Sequence, residues 1–349
     1  MSAMMRAAVL EAAGKISIRS VPVPVPGAGM VRLRVRRAGI CGSDLHYFEH
    51  GCCGAFVPTR PFVLGHEFAA EVAALGDGVD GLTVGDRVTA NPARACGVCD
   101  HCKGGRGNLC RRTIMLGSAS TTPPTDGAFA EFVVVRADQC HPLPSGMDDG
   151  AGAMLEPLAV ALHAVKRAGT VSGRRVLVTG GGPIGVLVAL TAKAFGAVPV
   201  ALSDVVEGRR ATARTLGVEA TLDPMSPRLL DEVRELAGEG FDVVFEASGA
   251  KAALRQAFDL VRSGGTIVQI GTLGTEEIPL PANQLMVREI TLVGSMRYGN
   301  VFGEAIRLVE SGRINVRGLI SDVRPLADVA EALRVASGKS AVLKVQLEL

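Results

Sequence analysis

Tryptophan is absent from the 349 residues, and only two tyrosines and eleven phenylalanines are present. An interior built without large rings must be filled by Ala, Val, Leu and Ile. No sign of charge dominates: 37 Lys and Arg face 35 Asp and Glu, for a net charge of +2. That balance withholds the basic footprint a nucleic-acid partner requires. No apolar run is long enough to span a bilayer. The opening Met1–Arg6 lacks a charged segment followed by a long apolar segment and a cleavage site. Internal repeats and low-complexity linkers are missing too. These absences lead us to expect a soluble cytoplasmic protein with neither nucleic-acid nor membrane partner, of about two domains.

Eight cysteines are present. In such a protein they suit metal ligation or inert thiols better than disulfides. Cys96, Cys99, Cys102 and Cys110 fall within fifteen residues in a glycine-rich stretch. Four thiolates can close a tetrahedron around zinc with no open position, which makes a structural site. The competing readings are an iron–sulfur cluster and free buried thiols, but a loop exposing four free thiols invites oxidation. His101 reads as a surface residue inside the cluster. Cys52, Cys53 and Cys140 have no partners at ligand spacing.

The chain is organised around Gly180-Gly-Gly-Pro183-Ile184-Gly185, which follows the apolar run Arg175–Thr179 and opens a helix-length apolar stretch. Gly180, Gly182 and Gly185 stand at G-x-G-x-x-G spacing, the fingerprint that brings a dinucleotide pyrophosphate to a helix N-terminus. Taken alone, the same glycines suit any strand-to-helix turn. The context is a second apolar strand ending at Asp204, roughly 20 residues further on, where a carboxylate accepts from ribose hydroxyls and repels a 2′-phosphate. NAD is therefore favoured over NADP, against the pull of Arg209 and Arg210.

Residues 1–153 read as a mostly β domain, a partly open barrel, with strand signals at 68–72, 87–90 and 129–135. A helix is predicted over 151–168. Six strands then alternate with helices (175–180, 198–204, 219–222, 241–247, 265–271 and 290–295), the pattern of a doubly wound parallel sheet over 154–296. Residues 297–349, with a helix over 301–311 and a final strand over 341–347, are expected to return to the first domain. The apolar segment 278–295 lies at the predicted sheet edge and could pair with a second copy.

A second set of metal-type residues is dispersed: Cys41, then His66 and Glu67, then Glu156. A catalytic zinc takes three protein ligands and keeps one position open. Cys41 and His66 supply thiolate and imidazole, and either Glu67 or Glu156 can supply a carboxylate. Ser43 and His46 follow Cys41 closely enough to relay a proton, with a cofactor ribose hydroxyl between them.

Together these segments resemble the zinc-containing medium-chain dehydrogenases, in particular their polyol branch of sorbitol and L-idonate dehydrogenases. The matching segments are GICGSDLHY (39–47), LGHE (64–67), GDRVTANP (85–92), CGVCDHCKGGRGNLC (96–110), EPLAVALHA (156–164), GGGPIG (180–185) and SMRYGN (295–300). LGSAS (116–120) and DGAFAEF (126–132) look most like L-idonate 5-dehydrogenases. The resemblance implies a GroES-like catalytic domain, a Rossmann NAD-binding domain, and zinc-dependent oxidation of a secondary alcohol to a ketone. It places the catalytic zinc on Cys41, His66 and Glu67, with Glu156 near the open position as a direct or water-bridged ligand. It assigns cofactor contacts to Ile184, Asp204, Arg209, Ile270, Gly271 and Arg297, and polyol contacts to Tyr47, Glu156, Arg297 and Tyr298. A guanidinium at Arg297 suits a carboxylate, which puts L-idonate or a similar sugar acid first, neutral polyols such as sorbitol, xylitol or galactitol second, and threonine third. Relatives form dimers and tetramers, and a homotetramer is expected. A zinc-ribbon nucleic-acid binder and a catalytically silent NAD-binding relative are the readings from other classes. Neutral charge speaks against the first, and retention of Cys41 and His66 against the second.

Overall fold

The computed structural model describes residues 3–274, 276–338 and 341–349. Its first part is mainly β. A seven-stranded sheet runs in the order Cys140–Pro142, Arg87–Ala90, Glu67–Leu75, Met30–Gly39, Lys344–Glu348, Ile320–Pro325, with Phe132–Arg136 also on Met30–Gly39. A three-stranded sheet of Lys15–Pro22, Met4–Ala12 and Phe62–Val63 meets it through a bridge between Ala7 and Ala130. Alternating residues of these strands, among them Leu33, Val35, Val72 and Val88, are buried in one apolar cluster. Small β-branched and aliphatic side chains thus make a core that uses few rings.

The second part is an all-parallel sheet in the order Ala220–Leu222, Val200–Ser203, Val176–Thr179, Phe241–Glu246, Val261–Gln269, Thr291–Gly294. Every residue of Val176–Thr179, Val200–Ser203 and Phe241–Glu246 is buried. That is the signature of strands covered by helices on both faces, and the strand order is that of the doubly wound dinucleotide fold. Element limits lie within a few residues of those expected, except that the strand expected at 265–271 begins already at Val261.

Two local differences from the sequence reading have physical causes. The expected helix over 151–168 is divided into Asp149–Ala153 and Leu155–Arg167. Pro157 has no N–H to give the carbonyl four residues back, so it suits only the first turn of a new helix. The helix expected at 301–311, observed as Phe302–Glu310, does not join the first domain's core. Its buried face of Phe302, Ala305 and Leu308 packs with the helix Leu155–Arg167 in the cluster under the parallel sheet. The return to the first sheet is made by Ile320–Pro325 and Lys344–Glu348, the latter pairing with Met30–Gly39. No helix among the described residues is long and apolar enough to cross a membrane.

The helix Pro183–Ala194 packs against Val176–Thr179 at the close approach that Gly185 permits. A Cβ there would sit 1.8 Å from the carbonyl oxygen of Gly180. Gly185→Ala should therefore lower stability by about 1–3 kcal/mol, the range for overpacking, read as a reduced urea midpoint. An unchanged midpoint would show that the turn can give way.

Candidate active site

The helix Gly42–His50 starts at Cys41, and His66 follows the short strand Phe62–Val63. One buried carboxylate ties these segments together. Asp44 Oδ2 accepts the N–H of Cys41 at 2.9 Å, and Oδ1 accepts the N–H of Gly65 at 3.1 Å. Asp44 Oδ1 also lies 3.8 Å from His66 Nδ1. The ligand atoms of Cys41, His66 and Glu67 consequently fall within 4.8 Å of one another. Sulfur, imidazole nitrogen and carboxylate oxygen form a donor set that suits zinc with one position left open. Burial alone would lower the proton affinity of His66, but Cys41 and Asp44 override it and raise it well above the usual histidine range. The same negative field favours a divalent cation.

Lys344, from the last strand, is buried beside this cluster. Its ammonium donates to both oxygens of Glu67, at 2.8 and 2.6 Å, and to the carbonyl of Ile40 at 2.9 Å. Glu67 is thus held by a fixed cation on one side while its oxygens stay in reach of Cys41 and His66. Glu156, in the first turn of Leu155–Arg167, is buried but lies outside the 4.8 Å group. Burial pushes its carboxyl up to about 7, against the opposing pull of His66. The hydroxyl of Tyr298 is buried beside the Glu156 carboxyl and makes no hydrogen bond of good geometry among the described residues. Burial and the neighbouring Glu156 hold that hydroxyl well above the usual range. Arg297 beside it is half-buried at φ +51°, a left-handed conformation for a non-glycine residue.

The other residues singled out in the first helix divide. Ser43 is half-buried, while His46, one turn on, is exposed with its ring 5.8 Å from that of His50. No direct hydrogen bond joins Ser43 to His46 among the described residues. Tyr47 is buried, edge-on to Phe62, and its hydroxyl accepts the N–H of Ala119 at 2.9 Å and lies 3.4 Å from Ser118 Oγ. This tyrosine holds the 118–120 loop in place.

The nucleotide site has an open cradle at the required place. Gly182 is the N-cap of Pro183–Ala194, and a Cβ built on it would meet nothing within 4 Å. That open side, next to the free N–H groups of the helix start, is where a pyrophosphate would approach. Asp204 directly follows the strand Val200–Ser203, with Oδ2 accepting the Gly181 N–H (2.6 Å) and Oδ1 the Val206 N–H (2.7 Å). A carboxylate offers about four acceptor sites, so ribose hydroxyls can still be bound. Arg209 lies 3.9 Å from it. Ile270 and Gly271 are held by their N–H groups on the carbonyl of Glu246. The buried side chain of Glu246 in turn accepts from the N–H groups of Ser248 and Gly249 and from Gln269 Nε2.

The four clustered cysteines also converge within 4.8 Å, without His101. The Cys96–Cys102 and Cys99–Cys102 sulfur separations are 3.9 and 3.5 Å. A tetrahedral site with Zn–S bonds near 2.3 Å needs sulfurs about 3.8 Å apart. Backbone N–H groups already point at the sulfurs: Val98 and Cys99 hold the Cys96 thiol down to about 5, and Cys96 and Arg112 donate to Cys110 at 3.2 and 3.3 Å. Cys52, Cys53 and Cys140 join neither cluster.

Lys344 and Glu246 are the residues that sequence reasoning passed over. The available signal for Lys344 was a single charge inside the mostly apolar run Ala341–Leu347. Breaking a buried ion pair from one side costs about 3–5 kcal/mol. Lys344→Met should lower unfolding stability by that order in urea titrations of chelator-treated protein. A loss below about 1 kcal/mol, the worth of an exposed pair, would refute the pairing.

Comparisons with known proteins agree with this geometry. Residues 27–145 match the alcohol dehydrogenase GroES-like domain, and residues 183–311 match the zinc-binding dehydrogenase domain. The chain is 36% identical to a sorbitol dehydrogenase of Bacillus subtilis over 345 residues, 98% of this chain and 97% of that protein. It is 38% identical to D-xylulose reductase A of Aspergillus niger over 339 residues, covering 95% and 93%. The solved L-idonate 5-dehydrogenase of Escherichia coli superposes with a TM-score of 0.93 at 34% identity, covering 100% of this chain and 99% of that one. With two converged ligand sets and a dinucleotide cradle on these two domains, the chain belongs to the zinc-dependent medium-chain polyol dehydrogenase family and is an oxidoreductase that uses zinc and NAD.

Proposed function

We propose that this enzyme reversibly oxidises a secondary hydroxyl of a sugar acid to the ketone, with L-idonate, oxidised at C5, as its first substrate. The observation that carries this reading is the Arg297–Tyr298 turn beside Glu156. It offers a guanidinium with no acceptor among the described residues, next to a buried hydroxyl whose neighbour is the Glu156 carboxyl. A guanidinium pairs with a carboxylate through two parallel bonds, and Tyr298 and Glu156 can bind hydroxyl groups. The 36% identity to a sorbitol dehydrogenase supports a neutral polyol as the second reading.

When bound, zinc supplies a Lewis acid that lowers the pKa of the substrate hydroxyl, and NAD accepts the hydride. Cys41, His66 and Glu67 would hold the metal, with Glu156 facing its open side. Asp44 orients the Cys41 and His66 segments. Ser43 Oγ would accept the hydroxyl proton while giving up its own toward His46, with a cofactor ribose hydroxyl bridging the two side chains, and exposed His46 would release the proton to solvent. Gly180, Gly182, Pro183, Ile184 and Gly185 form the phosphate turn; Asp204 and Arg209 take the adenosine ribose; Ile270, Gly271 and Arg297 line the nicotinamide end. On this reading the catalytic domain is 1–153, the NAD-binding domain 154–296, and 297–349 completes the two. The edge strand Thr291–Gly294, with exposed Leu280, Met286 and Val287 nearby, suits pairing with a second copy in a cytoplasmic homotetramer.

NADH appearance across sugar acids, polyols and threonine should give the highest kcat/KM with L-idonate. A charge-assisted hydrogen bond contributes about 1.5–3 kcal/mol. Arg297→Leu should therefore cost about ten- to a hundredfold more in kcat/KM on L-idonate than on sorbitol, on top of the common loss that its cofactor contact brings to both; equal losses on both would remove the carboxylate contact. Asp204→Ser should narrow the preference for NAD over NADP, and an unchanged ratio of the two kcat/KM values would count against the ribose assignment.

A further inference from the structure

Arg297 adopts a conformation that a residue with a side chain keeps only where its surroundings impose it. Those surroundings come from two distant parts of the chain. On one side of the turn, Asn108 Nδ2 donates to the carbonyl of Met296 at 3.0 Å. On the other, the N–H of Gly299 donates to His163 Nδ1 at 3.3 Å. Asn108 Nδ2 and His163 Nε2 are themselves 3.5 Å apart, so the two side chains close over the turn together. The ring of Tyr298 is fixed from beneath, edge-on to Phe302 at 5.2 Å.

Asn108 belongs to the four-cysteine lobe, two residues before Cys110. His163 lies two turns beyond Glu156 on the helix Leu155–Arg167, on the same face. An imidazole that accepts at Nδ1 must be neutral. Burial, aided by Arg167, Arg106 and Lys166, lowers the proton affinity of His163 and favours that form.

We propose that Asn108 and His163 are positioning residues: they latch the 296–299 turn, so that the lobe closed by the four cysteines sets where Arg297 and Tyr298 stand in the substrate site. The four-thiol lobe thereby reaches the substrate through one amide side chain. The part concerning substrate rests on the assignment of Arg297 and Tyr298 made above; the latch itself does not.

The test uses Asn108→Ala, His163→Leu and His163→Gln in the full-length enzyme, with zinc content and thermal midpoint measured on each. Glutamine can still accept the Gly299 N–H through its side-chain oxygen, whereas leucine cannot. Losing a hydrogen bond of ordinary strength corresponds to about tenfold. N108A and H163L are expected to raise KM for the alcohol about tenfold with kcat changed less than about twofold. Both should speed amide hydrogen exchange across 296–300 in cofactor-free protein, and H163Q should restore both properties. Unchanged exchange in N108A and H163L overturns the latch. A parallel fall in kcat, zinc content and thermal midpoint, not rescued by H163Q, also overturns it, because that pattern marks a purely structural role. Faster exchange with unchanged KM overturns the assignment of the turn to substrate and leaves the latch standing.

Discussion

The arrangement of buried charge around His66 is the constraint on which the rest of the structure depends. Asp44, Glu67 and Glu156 are all buried there, together with the half-buried thiol of Cys41, and Lys344 is the one buried ammonium among them. Burying such a set without compensation is costly. Three devices balance it. Backbone N–H groups of Cys41 and Gly65 bind Asp44; Lys344 binds Glu67; and the rise in proton affinity at His66 shows the demand for further positive charge that a divalent cation would meet. Glu156, held up to about 7, is the member that no ammonium or N–H group hydrogen-bonds among the described residues.

That electrostatic centre explains the chain's path. A mostly β unit supplies Cys41, His66 and Glu67, and a parallel-sheet unit supplies the cradle at Gly182. Neither has Lys344, which arrives only when the last strand pairs antiparallel with Met30–Gly39. The C-terminal segment therefore extends the first sheet and also delivers the counter-charge to Glu67. Between the two units runs the helix Leu155–Arg167, with Glu156 at its start, His163 further along, and Arg167 Nε donating to the carbonyl of Gly294 at its end. This one helix spaces Glu156 from the turn that bears Arg297.

The two ligand clusters differ in the way their donors are fixed. In the four-cysteine lobe, all ligands come from one short stretch and nearby backbone N–H groups stabilise the sulfurs, so the lobe is assembled locally. The Cys41 cluster is assembled from segments far apart in sequence, and its order comes from side chains such as Asp44 that bridge them. A site built across segments in this way can keep one coordination position free for substrate, because no single loop closes around the metal.

The sequence by itself determined the parts that depend on local spacing. The glycine fingerprint, the four cysteines and the alternation of apolar strands with helices each operate over a few to some tens of residues, and the periods of strand and helix expose them directly. The two-domain α/β fold and the four-cysteine set were legible for that reason, whereas the dispersed Cys41, His66, Glu67 and Glu156 were brought together by the resemblance to the dehydrogenases. Tertiary structure alone decided that Glu67 and not Glu156 shares the 4.8 Å group, that Lys344 pairs with a carboxylate 277 positions away, that the Tyr47 hydroxyl is taken up by a loop, and that Phe302–Glu310 packs under the parallel sheet. Each of these outcomes is a long-range contact fixed by how sheets and helices close on one another, and no periodicity within a segment encodes which distant side chain will fill its remaining valence.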